Sequence, residues 1–214
     1  GSGSIYGDIR ITGALGKNDG GTWTLYGTNN LWTGLQVSQG ILKMGAPYVC
    51  VSTAAVTWST DKTILTLDLN GFDQTVRGLS AGTIYSGKVV SATSATLTLD
   101  TAGSSFTSLA AIQGAISLVK DGAGVQSLQN TNTWTGSTLI RGGTLLSLRE
   151  DILPDATDVT LAGGILDLGS LNDTVRSLTS SSAAGGLSNA VAAGKALSLG
   201  STDAALTWTI NRDV

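Results

Sequence analysis

The sequence predicts an all-β solenoid, a single elongated body of short strands wound into stacked turns. Three observations predict it. Apolar residues recur on every second position in short runs, as in Leu146-Ser147-Leu148, which is the period of a half-buried strand. Gly and Asn punctuate these runs, at Gly122, Gly124, Asn130, Asn132, Gly136, Gly142 and Gly143, where a corner needs positive φ or a side-chain bond to the backbone. Two long motifs also occur twice. Strands of about four residues cannot bury an apolar face alone, so each must lie against a copy of itself.

The first repeated motif fills residues 116–148, ISLVKDGAGVQSLQNTNTWTGSTLIRGGTLLSL, and returns at 20–44 as GGTWTLYGTNNLWTGLQVSQGILKM. Gly21, Leu25, Thr28, Asn29, Trp32, Thr33, Gly34, Val37, Gly40 and Leu42 align with Gly124, Leu128, Thr131, Asn132, Trp134, Thr135, Gly136, Ile140, Gly143 and Leu145. The alignment inserts one residue in the Asn corner of the earlier copy and drops one after Gly34. The second motif is LDLNGFDQTVRGLS at 67–80, matched by LDLGSLNDTVRSLT at 166–179. Both recur at about 100 residues, so the chain divides into two superunits, 5–112 and 113–214. A truncated further repeat closes the second, where Leu206-Thr207-Trp208-Thr209-Ile210 echoes Thr22-Trp23-Thr24-Leu25.

Taken in order, alternation in Asp8-Ile9-Arg10-Ile11-Thr12 predicts a first strand, and 13–21 a run of corners. Residues 45–61, with Pro47, Tyr48, Cys50 and Trp58 among Val and Thr, break the pattern and predict a bulge or a small excursion. Strands resume at 64–69, 75–79, 84–90 and 95–99. Residues 101–114 read as a connecting loop. The second superunit repeats the order, with strands at 125–128, 137–140 and 144–148. An acidic kink follows at Glu150-Asp151 and Pro154-Asp155, then strands at 159–161 and 165–168. Residues 180–189 are Ser/Ala/Gly-rich and read as a mobile loop. The best helical stretch, 190–199, is broken by Gly194 and reads equally well as a strand at 196–199.

Composition excludes several classes. Only 13% of residues are charged while 41% are hydrophobic, the reverse of a disordered linker. A net charge of −3 with no basic cluster argues against nucleic acid, whose phosphates need a Lys/Arg patch. No apolar run approaches the roughly 18 residues of a membrane helix, so no membrane insertion by this segment is expected. Gly1-Ser2-Gly3-Ser4 reads as a cloning remnant or a trimmed start. Cys50 is the single cysteine, which leaves no internal disulfide framework. A Thr/Ser/Gly-rich, cysteine-poor chain fits a bacterial exterior.

The Lys120-Asp121-Gly122-Ala123-Gly124 lead, the Asn132-Thr133-Trp134-Thr135-Gly136 corner and the Gly142-Gly143-Thr144-Leu145 strand resemble the autotransporter-associated β-strand repeat. The match is close at 116–148, clear at 20–44, and extends to the two Leu-Asp-Leu…Thr-Val-Arg segments, covering about half of the chain. That resemblance implies a right-handed parallel β-helix, in keeping with the preference for right-handed crossovers, in a secreted or surface-displayed bacterial protein. Trp32 and Trp134 depart from the more usual Tyr, and Gln39 stands where Gly is common. Nothing in this sequence resembles the translocator barrel.

Chemistry is sparse. The chain has no His, and so lacks the commonest general base and metal ligand; one Cys makes no thiolate cage. No cofactor or metal site is expected. Asp68 and Asp167 occupy equivalent places in the two Leu-Asp-Leu motifs, which puts them about 20 Å apart on stacked turns, beyond the ~5–9.5 Å of a hydrolytic pair. Each is expected outside, between two inward leucines. Arg77 and Arg176 follow inward valines and belong on the solvent face, paired with a carboxylate of an adjacent turn. Asp19-Gly20-Gly21 and Asp121-Gly122 lack the tandem nonapeptide of calcium repeats.

Among the tryptophans, Trp32 and Trp134 share one corner and are expected to cover the end of the core, with a sugar-stacking platform as the functional alternative. Trp23 and Trp208 lie on strands and are expected to fill core. Gly34, Gly124, Gly136, Gly143, Asn29 and Asn132 are the expected structural corners. The sequence therefore predicts a non-catalytic structural stalk module. Its expected partners are neighbouring β-helical repeats or copies of itself stacked end to end into filaments. The rival is an adhesin that contacts host or matrix glycans.

Overall fold

The computed structural model describes residues 1–58, 65–81 and 87–181, with the backbone of two further strands, Gly186–Ser188 and Leu197–Leu199. Among the described residues there is no helix, and every strand pairs with its neighbours in parallel. The chain is a β-solenoid of about eight turns with three faces.

Face A stacks Gly3–Ile5, Thr22–Leu25, Gly40–Met44 and Leu65–Asp68, then residues 87–91 and 111–114 of two long bent strands, then Thr133–Trp134. Face B begins at Gln74–Val76 and continues through the second halves of those bent strands, Gly87–Asp100 and Ala111–Asp121. It then adds Thr138–Ile140, Asp158–Leu161 and Ser177–Ser180. Face C holds Ala14–Lys17, Gly34–Val37, Ala55–Trp58 and Leu79–Ser80. After a gap in the ladder it resumes with Ser105–Ser108, Val125–Leu128, Thr144–Ser147 and Ile165–Asp167.

Alternation decides which side chains enter. In Gly40–Met44, Leu42 and Met44 are buried while Lys43 lies between them facing out, because successive side chains of a strand point to opposite sides. Repeated turn after turn, this gives one continuous core that includes Leu25, Leu42, Leu67, Val89, Ile112 and Trp134. Turn length varies because corners, not strands, absorb insertions. Ile41 pairs with Thr22, 19 residues earlier, whereas Leu65 pairs with Gly40, 25 residues earlier.

That long turn contains the segment expected to break the pattern, described over residues 45–58. It bends at Tyr48, whose φ is 55°, stays bonded to the turns on either side through Tyr48 N to Asp73 O and Asn30 to Val49 O, and resumes as the strand Ala55–Trp58 with Trp58 buried. Several sequence expectations change. Residues 101–114 are not a loop: Ser105–Ser108 and the start of Ala111–Asp121 are strands, the alternation being hidden by a buried serine, Ser108, and by the unbroken buried run 109–112. The first strand is Gly3–Ile5, and of residues 8–12 only Arg10 makes a bridge, to Leu31. The opening Gly-Ser residues thus belong to the stack, and the Ser2 hydroxyl accepts a bond from Thr22 N. The expected strand 75–79 is broken at a corner into Gln74–Val76 and Leu79–Ser80, on faces B and C. Trp208 and the expected further repeat lie outside the described residues, as do 182–185 and 189; within the expected loop 180–189, Gly186–Ser188 is instead a strand paired with Ile165–Asp167.

The two sequence copies do not lie above one another. From Thr22–Leu25 the face A ladder takes four steps, to 40–44, 65–68, 87–91 and 111–114. The equivalent strand Val125–Leu128 lies in that last turn but two faces further on, on face C. The copies are therefore four and two-thirds turns apart. Asp68 sits on face A and Asp167 on face C, so they are not stacked equivalents.

Candidate functional site

The most elaborate chemistry in the molecule is buried at its corners. Lys120 ends a run of inward residues and is fully buried. Its ammonium donates to three backbone carbonyls, Asp121 O at 2.6 Å, Gly122 O at 2.9 Å and Gly142 O at 2.9 Å. All three of its N–H donors are thus used, and two successive turns are tied together. Burial pulls its pKa down to about 8, against the raising influence of Asp121 and Asp100. Lys17, 103 residues earlier, repeats the device with Asp19 O and with Gln39 O at 3.1 Å, and burial lowers its pKa too.

Beside each lysine stands a glycine with positive φ, Gly40 at 79° and Gly143 at 61°. A Cβ on Gly143 would come within 2.1 Å of Gly124 O, and one on Gly40 within 2.2 Å of Asp19 O. The glycines and the lysine together let the carbonyls of the corner converge.

The Asn corner is an interior amide ladder. Asn132 accepts from Ile112 N at 2.8 Å and donates to Asn130 O at 2.8 Å and Ile152 O at 3.0 Å, bridging three turns. Its counterpart in the first copy is Asn30, which accepts from Ile9 N and donates to Gly27 O and Val49 O. Asn29 is exposed, its backbone bonded to Asp8 and Arg10, so the extra residue of that corner precedes the structural Asn. Further along, Gln74 spans Cys50 N and Ala46 O.

Asp173 takes the equivalent place, accepting from Ile152 N and Leu153 N at 3.2 Å and from Thr174 N at 2.9 Å. Burial raises its pKa from 3.8 to about 6, opposed by those backbone bonds. The folded state therefore holds a proton that the unfolded state has lost between pH 4 and 6, so this group's contribution to stability declines as pH rises through that window. Asp173→Asn is expected to remove the decline. In urea titrations at pH 4, 5, 6 and 7 the variant should gain on the parent by on the order of 2 kcal/mol across the series.

Trp32 and Trp134 are 2% and 1% exposed. Neither offers a ring face to a sugar, and both pack inside their corners. Trp134 Nε1 donates to Thr138 Oγ1 at 3.1 Å and Thr157 Oγ1 at 3.4 Å, and Thr157 donates in turn to Gly136 O at 2.9 Å. In the first copy Leu35 and Ala54 replace these threonines, and Trp32 Nε1 is buried without a partner. The backbone is otherwise the same: Ala54 N bonds Val51 O just as Thr157 N bonds Pro154 O. Ala54→Thr is expected to satisfy the indole and raise unfolding stability by about 1 kcal/mol; a thermal melt that falls instead would show that the first corner has no room.

Gly124 and Gly136 lie where a Cβ would meet neighbouring backbone, at 1.8 Å from Ser104 O and 2.6 Å from Ile116 O respectively. Gly34 opens a strand with ordinary contact to Ala14. Trp23 is half-buried, against the core. Outside, Asp68 pairs with Lys43 at 3.6 Å and Asp167 accepts from Gly169 N at 2.9 Å. Arg176 grips Asp158 of the preceding turn, Nε to Oδ1 at 2.7 Å, and holds that carboxyl below its ordinary value. Cys50 is buried and its thiol is pushed up to about 12. Among the described residues no group of three or more acidic or thiol side chains is placed to hold a metal ion. Among the described residues no helix is long and apolar enough to cross a membrane.

What the geometry defines is a repeat unit built to stack: a lysine-clamped glycine corner, an amide corner and an indole corner, each passing its bonds to the next turn. Residues 15–44 and 118–146 match the passenger-associated-transport-repeat, and these two stretches are autotransporter-passenger β-repeats. Over 159 residues the chain is 35% identical to the adhesin BmaC autotransporter of Brucella suis biovar 1 (strain 1330). The alignment covers 73% of this chain and 4% of that adhesin. No solved structure matches the chain.

Proposed function

We propose that this module is a non-catalytic stretch of β-helical stalk in a secreted or surface-displayed bacterial protein, and that its work is spatial. The observation that carries this reading is the parallel ladder of stacked turns around one apolar core, clamped at its corners by buried polar side chains. Such a body is stiff along its axis, while its outward side chains vary without cost to the core. The similarity to an autotransporter adhesin supports display outside the cell. Inserting one or two extra copies into a displayed passenger is expected to lengthen its reach by about 4.8 Å per added turn, with no hydrolase or lyase activity gained. Unchanged reach, or turnover of a polysaccharide, would sink the proposal.

A second reading, copies stacking end to end, draws on one observation. A cavity of about 350 Å³ opens among the first turns, lined by Ile5, Leu15, Trp23, Leu25 and Leu42 with Lys17 and Asp19 at its side. Light scattering over a concentration series discriminates: a mass that stays monomeric at high concentration removes this reading.

A further inference from the structure

The first three turns differ from the rest on one face. From the fourth turn onward face B carries a strand in every turn. Before that the chain crosses face B as irregular segments, 6–11, 26–31 and 45–52, with only the Arg10–Leu31 bridge between them. Five of the exposed large hydrophobic side chains lie on these segments: Tyr6, Ile11, Tyr26, Leu31 and Tyr48. Tyr6 and Tyr26 lie in successive turns and stack on each other, centroids 4.6 Å apart and 13° from parallel. The Tyr26 ring also lies over Gly45, where a Cβ would come within 2.5 Å of it. These two rings therefore have partners along the axis.

Tyr48 does not share that stack. It stands 62% exposed on a backbone with φ of 55°, a conformation that costs a bulky residue on the order of 1–3 kcal/mol and tends to occur where function demands it. A bond from Tyr48 N to Asp73 O at 2.9 Å holds it there. Beside it a cavity of about 490 Å³ runs across several turns, lined also by Thr28, Asn29, Ser52, Thr75 and Asp100. That volume is within the ~300–1,000 Å³ of small-ligand sites.

We propose that this groove is a binding site for neutral oligosaccharides, with Tyr48 as its stacking platform. The chemistry of the lining selects that class. A sugar ring presents a C–H face, which packs on an aromatic ring, and a rim of hydroxyls, which pair with amides, hydroxyls and a carboxylate. Asn29, Thr28, Ser52, Thr75 and Asp100 supply that set. No Lys or Arg lines the cavity, and Asp100 adds a negative charge, so sialylated, sulfated and phosphorylated ligands lack a counter-ion there. The site goes beyond the stalk reading and uses the stalk only as its support.

The test is a printed array of neutral, sialylated and sulfated oligosaccharides, probed with the whole chain, then with Tyr48→Ala, Tyr48→Phe and Asn29→Ala. The expected result is binding confined to neutral glycans and weakened tenfold or more in Tyr48→Ala and severalfold in Asn29→Ala. It should be kept within threefold in Tyr48→Phe, with melting temperatures within about two degrees because both side chains are exposed. No neutral glycan bound, a preference for acidic glycans, or undiminished binding by Tyr48→Ala would each overturn the proposal. Circular dichroism and small-angle scattering on the same samples report on the rod separately, so failure of the site leaves the stalk reading standing.

Discussion

Replacing Lys120 by Met is expected to cost about 3–5 kcal/mol of unfolding free energy, read from urea titration at neutral pH. Lys120 Nζ satisfies Asp121 O, Gly122 O and Gly142 O, and the side chain is fully buried. Methionine fills the same space without a donor and leaves the carbonyls unpaired, each at about 1–3 kcal/mol if water stays out. The same change at Lys17, which serves two carbonyls, is expected to cost about half as much, since fewer acceptors are abandoned. Equal losses at the two sites, or a loss under ~1 kcal/mol at Lys120, would show that the ammonium is not the clamp.

Gln126→Leu is the second large effect, and it probes the one break in face C. Between Leu79–Ser80 and Ser105–Ser108 the ladder is open, held by Ala81 N to Thr107 O. The Gln126 side chain, fully buried, reaches back to fill the opening. Its amide accepts from Leu79 N at 2.9 Å and donates to Leu79 O at 3.0 Å, 47 residues away in sequence. It stands in for one peptide of a missing strand. Leucine there leaves a buried N–H and a buried C=O without partners, a loss of about 2–5 kcal/mol. Hydrogen exchange should locate it: Leu79 should lose protection, while the amides of Leu145 and Leu166, three and four turns on, keep theirs.

Much of this architecture can be read from the residues. Apolar runs place strands at Val125–Leu128, Thr138–Ile140, Thr144–Ser147 and Ile165–Asp167, with Leu128, Ile140, Leu145 and Leu166 in the core, but the phase read from Leu146-Ser147-Leu148 is reversed: Leu145 and Ser147 are buried, and Leu148 is exposed. Gly142-Gly143 ahead of Thr144-Leu145 marks a real corner. What alternation cannot show is which of three faces a strand occupies, because inward and outward look the same on each. The phase between copies, and with it the separation of Asp68 from Asp167, depends on turn lengths set by corner insertions. Ser105–Ser108 escaped because its buried residue is a serine. The Asn29/Asn30 ambiguity was one of bonding, since both residues are Asn and only Asn30 makes the interior bonds.

The clamp was the least visible feature. A lysine beside Asp and Gly in a sequence is indistinguishable from a solvated charge, and its burial follows only once the turns are stacked. One signal was present: Lys17 and Lys120 precede Gly21 and Gly124 by the same four positions, a regularity that a merely soluble residue has no reason to keep. Tyr48 was visible as part of an irregular stretch, but its left-handed backbone and its groove were not.

The two-thirds remainder in the spacing of the copies has a geometric consequence for any array that keeps it. Each successive unit would be rotated by a third of a revolution relative to its predecessor, so that an outward residue repeated in each unit would trace a screw thread along the shaft and come back into line at every third unit. A decoration on one such position would then be offered in all directions at once, and a flat partner could engage only every third copy of it.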